Sequence, residues 1–375
     1  MKPLAFAAGV LLLSATAQAI DLASLPPNKW VDVTPKYVGA PDGGQLFPMG
    51  WNNKGTYDPT TKRTITMDRW YDKIRVDTIY ANAALAYDPM TNICTVLKLS
   101  NWKKEGTPSG GYKTVEMPAN AQDPTPLDRH PLGGLALASD SNGLYFENGL
   151  NQTGPNGHPN DTWKLDLASN KWSKVTSKSH PPNVTCDVMA YDVKNKTIVL
   201  FSTAGGHTTT WLLDPAKGEW KSAPIDGSSK GIMGQGAGIC YDSKRGQVVI
   251  FGGGHQFDSS SGSLSAYTTT TNKWTHLKEC PTAANAPGFD YDSKNDVFLA
   301  DILGATWAYN PAGDAWTQLS KDGLPESTWK SITYNAAYDV FVYQGGTWDK
   351  PAWKLFRYNP ASALAAANGQ KPANH

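Results

Sequence analysis

Two histidines follow apolar runs and glycines at matching places in the sequence. His207 ends "IVLFSTAGGH", and His255 follows "VVIFGGG". Glycine adopts positive φ without strain, so the chain can turn sharply there and leave space for a ligand. An imidazole titrates near neutral pH and can transfer protons or bind a metal ion. A third histidine, His130, directly follows Arg129, and we predict that all three histidines are catalytic groups that transfer protons.

Other polar and aromatic residues occur where a β-rich run begins or ends. Guanidinium groups bind carboxylates in a bidentate manner, and aromatic rings offer flat apolar surfaces beside them. We predict that these residues bind substrate: Arg69, Trp70, Tyr71, Arg129, Asn148, His158, Gln235, Trp329 and Lys330. The alternative interpretation is structural, because a polar side chain after a turn can simply brace a neighbouring loop. His180 and His276 are expected to be ordinary surface residues.

A repeated unit positions these residues. Tyr-Asp pairs precede short β-rich runs in "GTYDPTTKRTITM", "MAYDVKNKTIVLFS", "ICYDSKRGQVVIFGGG" and "FDYDSKNDVFLADI". A second hairpin follows each run and often carries tryptophan on its outer strand, as in "TWLLDPAKGEW". The unit is therefore a four-stranded antiparallel sheet of about 40–50 residues, the size of a propeller blade. Six such units are predicted at about 50–99, 130–176, 184–224, 233–278, 284–320 and 328–360.

The sixth unit lacks an outer strand. The early segment "NKWVDVTP", residues 28–35, has no unit of its own and carries Trp30 where the other outer strands carry tryptophan. We predict that this N-terminal strand completes the last blade. Closing the ring in this way leaves only short, protected sheet edges.

The pattern resembles the kelch and galactose-oxidase-like β-propellers. The matching features are the Tyr-Asp turns, the Thr-Trp hairpins and the glycine pairs at 205–206, 252–253 and 345–346. The resemblance implies an all-β, six-bladed kelch-like β-propeller as a single domain over residues 20–365. In such folds, the residues before the first strand and after the second strand of each blade converge on one face. The predicted site residues would therefore meet around the central channel.

The bulk composition limits the compartment and the class of partner. "MKPLAFAAGVLLLSATAQA" predicts a signal peptide over residues 1–19, so we expect a secreted or periplasmic protein with a short C-terminal tail at 366–375. No later apolar run is long enough to predict membrane insertion. The formal net charge of +1 gives no basic signature for nucleic acid. We expect a monomer that acts on an extracellular polysaccharide or oligosaccharide.

Three functions fit this pattern. The leading hypothesis is a polysaccharide lyase that cleaves an acidic, uronate-containing glycan by β-elimination, since such lyases occur on propeller scaffolds. That chemistry needs a group that neutralises the carboxylate, a base for the C5 hydrogen and an acid for the leaving oxygen. The first alternative is a non-catalytic propeller that binds a glycan or a protein. The second is a metal-dependent oxidase or hydrolase, in which His207 and His255 hold a divalent ion such as zinc.

Overall fold

The structure, a computed structural model, describes most of the chain. The described residues are 18–39, 45–47, 54–71, 82–100, 102–107, 111–116, 123–126, 129, 133–149, 160–182, 187–204, 207–224, 230–232, 234–254, 260–321, 323–324, 330–347 and 350–367. For residues 45–47, 69–71, 102–107, 111–116, 204, 207, 347, 350–351 and 364–367, only the backbone is described. No helix within these ranges is long and apolar enough to cross a membrane.

Strands make up nearly all of the regular structure. In chain order the elements are β1 (Trp30–Val33), β2 (Lys36–Val38), β3 (Gln45–Phe47), β4 (Gly55–Asp58), β5 (Arg63–Tyr71), β6 (Asn82–Asp88), β7 (Ile93–Leu99), β8 (Trp102–Thr107), β9 (Gly111–Glu116), β10 (Leu135–Ala138), β11 (Gly143–Glu147), β12 (Thr162–Asp166), β13 (Lys171–Val175), β14 (Val188–Asp192), β15 (Thr197–Ala204), β16 (His207–Asp214), β17 (Glu219–Ser222), β18 (Gly238–Asp242), β19 (Gln247–Phe251), β20 (Leu264–Thr268), β21 (Lys273–His276), β22 (Gly288–Asp292), β23 (Val297–Ile302), β24 (Ala305–Asn310), β25 (Ala315–Ser320), β26 (Ser331–Asn335), β27 (Val340–Thr347), β28 (Lys350–Phe356) and the helix α1 (Pro360–Ala367). The predicted all-β class is confirmed.

The strands form six blades. Blades two to five are the sheets β10–β13, β14–β17, β18–β21 and β22–β25, and each runs in chain order from the first to the fourth strand. Blade one is β4–β7, with β3 paired to β5 and β2 added in parallel to β7. Blade six is β26–β27–β28, completed by β1. The six-bladed propeller predicted from the repeats is therefore confirmed.

The closing strand is the one that the sequence predicted. Strand β1 pairs antiparallel with β28, with Trp30 opposite Phe356 and Val33 opposite Trp353. The Trp30 and Phe356 rings pack with their centroids 5.0 Å apart. Since β1 and β2 join blades six and one, respectively, the N-terminal segment ties the two ends of the ring together.

Apolar side chains fill the seams between neighbouring blades. Between blades three and four, for example, the buried side chains of Val188 and Phe201 share a cluster with Ile239 and Ile250. Inner strands are covered on both faces, so their buried residues run consecutively instead of alternating, as in Val188–Asp192. Most of the hydrophobic stabilisation therefore comes from contacts between blades.

Threonines of the repeats bind outer tryptophans of the next blade across these seams. The indole Nε1 of Trp220 in blade three donates to Thr162 Oγ1 in blade two at 2.8 Å. Trp274 in blade four donates to Thr210 Oγ1 in blade three at 3.0 Å. Trp30, on the closing strand, donates in the same way to Thr306 Oγ1 at 2.9 Å. These three outer tryptophans are thus held by the threonine of the preceding blade, whereas Trp316 in blade five donates to the carbonyl oxygen of Lys278 at 2.9 Å, because blade four has Leu264 in the threonine position.

Removing residues 20–34 is expected to cause aggregation and loss of a cooperative melting transition. The deletion uncovers β28, whose Leu355 and Phe356 are fully buried, and an open apolar strand edge pairs readily with other chains. Differential scanning calorimetry and light scattering measure both effects. Asp32→Asn is the control, because it keeps the strand and loses only an exposed ion pair with Lys354. A soluble, cooperatively melting deletion variant would contradict the closing role of β1.

Candidate functional site

The predicted site residues lie where the second strand of a blade ends or the first begins, as far as the structure describes them. Asn148 directly follows β11, Gln235 lies shortly before β18, and Lys330 directly precedes β26. Arg69, Trp70 and Tyr71 end β5, and His207 begins β16. The structure does not describe the side chains of Arg69, Trp70, Tyr71 and His207. It describes no part of His130, His158, His255 or Trp329. We call the side of the propeller that carries these strand ends the loop face.

The glycines that follow β19 have the conformation expected from the sequence. Gly252 and Gly253 have φ of 72° and 83°. A Cβ on Gly252 would also lie 2.9 Å from the carbonyl oxygen of Ala284. The turn before His255 therefore needs glycine for both its backbone angles and its close packing.

Arg129 lies in a buried ion pair beneath the loop face. Its Nη1 donates to Asp161 Oδ1 at 2.6 Å and to the carbonyl oxygen of Asn148 at 3.0 Å. Burial raises the pKa of Asp161, but Arg129, Trp163 and Lys174 together lower it more, so the carboxylate stays ionised. The guanidinium also lies over the Phe146 ring, 5.1 Å from its centroid. Arg129 thus fixes the turn after β11, and its predicted contact with substrate remains a prediction.

Lys330 is also in a buried ion pair. Its Nζ bonds Asp301 Oδ1, and Asp301 Oδ2 accepts from the backbone N–H of Leu324 at 2.9 Å. Both side chains are at most 5 % exposed. Burial raises the pKa of Asp301 more than Lys330 lowers it. The pair joins β23 of blade five to the start of blade six.

The position of Glu147 is apolar in some blades and polar in others. Glu147 ends β11 and pairs with Thr162. The equivalent residues are Phe201 in blade three and Phe251 in blade four, but Asp301 in blade five and Gln344 in blade six. Glu147 is 1 % exposed. Burial raises its pKa well above the usual range, and a nearby carboxyl, Asp187, raises it further. Asp301 is paired with Lys330, whereas Glu147 lies beside His180 and has its pKa raised by burial, which makes Glu147 a candidate functional group.

Glu147 is connected to His180 through Thr162. Thr162 Oγ1 bonds Glu147 Oε2 and lies 3.1 Å from His180 Nε2, while it also receives the Trp220 indole N–H. His180 Nδ1 lies 3.0 Å from the carbonyl oxygen of Pro181, which can only accept, so Nδ1 carries the hydrogen. Burial lowers the pKa of His180, so its ring is neutral at pH 7 and Nε2 accepts.

Thr162 has a single hydroxyl hydrogen, which it can donate either to Glu147 Oε2 or to His180 Nε2. Because Nε2 of the neutral His180 ring can only accept and the raised pKa of Glu147 keeps its carboxyl protonated, donation to His180 satisfies all three groups. The lone pairs of Thr162 then accept from Trp220 Nε1 and from a protonated Glu147 Oε2. A neutral Glu147 follows from the raised pKa of its carboxyl, and these hydrogen bonds can accommodate it. We call this chain the Glu147–Thr162–His180 relay, and it runs from a buried acid to a ring that is 21 % exposed.

The sequence analysis did not anticipate this site. It placed His180 among ordinary surface residues, but the structure places it against Thr162 and 3.6 Å from Glu147 Oε1. The repeats offered only a weak signal, because the position of Glu147 is phenylalanine in blades three and four but Asp301 in blade five. No comparable signal marks His180, because the loop between two blades has no equivalent in the repeats.

A second buried carboxyl lies beside the relay. Asp187 directly precedes β14, and its Oδ2 accepts from Asn148 Nδ2 at 3.2 Å. Burial raises the pKa of Asp187 to about 7, although Ser202 and Asn148 lower it. Two carboxyls with raised pKa values therefore lie between blades two and three.

Asp187→Asn is expected to flatten the dependence of stability on pH. An ordinary aspartate has a pKa near 3.9, so folding must keep Asp187 protonated between about pH 4 and pH 7. In the wild type, the contribution of Asp187 to the free energy of unfolding is fully present below pH 4. This contribution falls by about 4 kcal/mol as the pH rises to 7. The variant should therefore gain stability over wild type through this window, measured by urea unfolding at several pH values.

Asp214→Asn is the matched control for this effect. Asp214 is exposed, and the side-chain hydrogen bond from Lys217 lowers its pKa. Its contribution is lost as pH falls, so the control should show a small difference of the opposite sign. Parallel pH curves for wild type and Asp187→Asn would show that Asp187 does not titrate as the structure indicates.

The central channel holds a cavity at the opposite end of the propeller axis. It measures about 260 Å³ and is lined by the inner strands of all six blades and the turns that follow them. Lys54 crosses it and donates to the carbonyl oxygen of Ile239 at 2.5 Å. The Asp290 carboxyl borders the cavity and accepts the backbone N–H groups of Tyr291 and Tyr334. This cavity is separate from the loop face.

Within the described residues, no group of three or more His, Cys, Asp or Glu side chains is arranged to hold a metal ion. Cys94, Cys240 and Cys280 are buried and free. The predicted ligands His207 and His255 lie outside the described side chains, so their metal role stays a prediction. No protein-family model matches the chain, and no curated protein is similar enough to count as a relative.

Proposed function

We propose that this propeller is an enzyme that cleaves an acidic, uronate-containing polysaccharide by β-elimination at its loop face. The observation that carries the proposal is the relay, because it connects a buried neutral acid to a partly exposed imidazole. A ligand-binding surface has no need of such a connection, whereas general acid catalysis does.

The relay suits the step that protonates the leaving oxygen. A substrate oxygen in place of the Pro181 carbonyl would take the hydrogen from His180 Nδ1. His180 Nε2 then takes the hydrogen of Thr162, and Thr162 takes that of Glu147, which is left as a carboxylate. The cost of that buried charge is reduced by Arg129, which lowers the pKa of Glu147. Solvent returns the proton after the product leaves.

The remaining roles fall to the residues predicted from the sequence. His130, His207 or His255 would remove the C5 hydrogen as the base, and Arg69 would neutralise the carboxylate. Trp70, Tyr71, Asn148, His158, Gln235 and Trp329 would position the sugar chain.

The test is an increase in absorbance near 235 nm, where unsaturated uronates absorb, with a panel of acidic polysaccharides. The expected result is product with at least one polysaccharide and none with its carboxyl-reduced form. New reducing ends without this absorbance would indicate hydrolysis instead. Binding of a polysaccharide without any change in it would overturn the enzymatic proposal.

One observation favours a non-catalytic glycan- or protein-binding propeller as the second candidate. Two cations predicted to meet substrate, Arg129 and Lys330, are held in buried ion pairs with Asp161 and Asp301. Such pairs are typical of framework residues. The same absorbance assay separates this candidate from the lyase.

A further inference from the structure

A polar layer lies between blades two and three, on the side of the loop face. Thr209 and Trp211 alternate along β16 and project to one side of blade three, because side chains two apart in a strand share a face. Ser202 pairs with Thr209, and Leu200 with Trp211. Leu200 and Trp211 pack against Ala136 and Tyr145 of blade two, so this side faces blade two.

Blade two contributes the opposite side of the layer. Glu147 lies two residues beyond Tyr145 on β11 and therefore faces blade three. Asp187 precedes Val188, whose partner is Phe201, so its carboxyl lies beside Ser202. Asn148 connects the two blades through its bond to Asp187. We call this layer the 2–3 seam.

The 2–3 seam contains an unusual number of buried polar atoms without a hydrogen-bond partner in the described residues. Glu147 Oε1, Asn148 Oδ1, Thr209 Oγ1 and Trp211 Nε1 have none. Asp187 Oδ1 and Ser202 Oγ also lack a partner at hydrogen-bond geometry, but they lie close enough together for Ser202 to lower the pKa of Asp187. The large majority of buried side-chain polar atoms in native proteins are hydrogen-bonded, because a buried polar atom without a partner destabilises the fold. Several together in one seam indicate that a polar group from outside the chain binds there.

The corresponding residues of blades four and five lack this character, and blades one, two and six carry Asp68, Asp161 and Lys330 in this row, each with a hydrogen-bond partner. The blade-three row Asp187, Ser202, Thr209 corresponds to Ala237, Gly252, Ser263 in blade four and to Pro287, Ile302, Ala305 in blade five. In this row, the other seams are therefore built from apolar or small residues or from paired polar ones. The polar row in blade three is therefore not a requirement of the propeller fold.

The mixture of donors and acceptors identifies the class of ligand. Trp211 Nε1 can only donate, and Asn148 Oδ1 can only accept. The neutral Glu147 carboxyl presents Oε1 as an acceptor, because its hydrogen lies on Oε2. An anion would face two acceptors and a cation would face the indole N–H, whereas a hydroxyl group both donates and accepts. The array therefore favours a neutral, hydroxyl-rich group.

The polar atoms of the seam are buried, and the seam lies closest to solvent at β16. Glu147, Asp187 and Ser202 are buried, but Thr209 and Trp211 are only partly buried. A ligand would therefore meet β16 first, with its hydroxyl groups directed towards Asp187.

We propose that the 2–3 seam is a subsite for an uncharged sugar ring. This deepens the proposed function and rests on it, since the ring would be a neutral residue next to the uronate in the same polysaccharide. A substrate with alternating acidic and neutral sugars would then be preferred over a polymer of uronates alone.

The experiment follows tryptophan indole N–H signals by NMR in 15N-labelled protein. The probes are the methyl glycosides of glucose, galactose, mannose and xylose, with glucuronate as the charged comparison. The expected result is a saturable shift of the Trp211 signal, assigned with Trp211→Phe, by at least one neutral glycoside and not by glucuronate. Trp307 is the internal control, because its Nε1 is also buried without a partner in the described residues but its neighbour Ala305 is apolar.

Matched variants test the polar row itself. Ser202→Ala and Thr209→Val should each weaken binding about tenfold, which corresponds to 1.4 kcal/mol. Ser263→Ala, at the position of Thr209 in blade four, should leave it unchanged. Melting temperatures show whether each variant is folded.

The results separate the subsite from the lyase. No saturable Trp211 shift with any neutral glycoside, equal shifts of Trp211 and Trp307, or tighter binding of glucuronate would each overturn the subsite. Glycoside binding without absorbance at 235 nm would keep the subsite and overturn the lyase. Absorbance at 235 nm without glycoside binding would keep the lyase and overturn the subsite.

Discussion

Glu147→Gln is expected to reduce turnover of an acidic polysaccharide by about 10²–10⁴-fold while the melting temperature changes little. This is the range typically lost with a general acid or base. The glutamine amide can still donate to Thr162, so the hydrogen bond survives, but it cannot release a proton. Initial rates at 235 nm, together with calorimetry of the same samples, measure both quantities.

Thr162→Val and Thr210→Val form a matched pair that tests the relay. Each removes the acceptor of a buried indole N–H, from Trp220 or Trp274, and should cost about 1–3 kcal/mol of stability. Only Thr162 also contacts Glu147 and His180. Turnover should therefore fall in Thr162→Val and stay near wild type in Thr210→Val. Equal activity in both variants, or an active Glu147→Gln, would remove the relay from the mechanism.

Lys330→Met is expected to destabilise the protein by about 3–5 kcal/mol at neutral pH. The substitution leaves the buried Asp301 carboxylate without its cation, and breaking one side of a buried pair has this magnitude. Loss of Lys330 would raise the pKa of Asp301 further, so the destabilisation should be smaller near pH 4 and grow as pH rises. Urea unfolding at pH 4, 5 and 8 measures the free energy of unfolding.

Two further variants decide how this loss is interpreted. The double variant Lys330→Met/Asp301→Asn removes both charges and should recover most of the stability. Lys354→Met breaks only the pair with Asp32, which is 80 % exposed, and should cost less than about 1 kcal/mol. If Lys330→Met keeps full stability but binds substrate more weakly, Lys330 is a binding residue, as the sequence analysis predicted.

The sequence by itself determined the all-β class, the six blades and the closing strand. These follow from local patterns that recur along the chain, namely strand-forming runs, Tyr-Asp turns and outer tryptophans. Even the closure by residues 28–35 was visible, because Trp30 matched a place that the sixth unit left empty. The histidines at 130, 207 and 255 were identified in the same way and remain predictions, since the described residues do not include their side chains.

The tertiary structure alone decided which polar groups meet. Glu147 and Asp187 belong to different blades, and His180 lies on the loop between them, so no spacing in the sequence relates the three. Their shared environment arises where two sheets pack, and burial there gives both carboxyls raised pKa values. For the same reason Arg129 and Lys330, which look like free cations in the sequence, are found paired with Asp161 and Asp301. A repeat predicts each blade well, but seam chemistry depends on which side chains of two blades face each other.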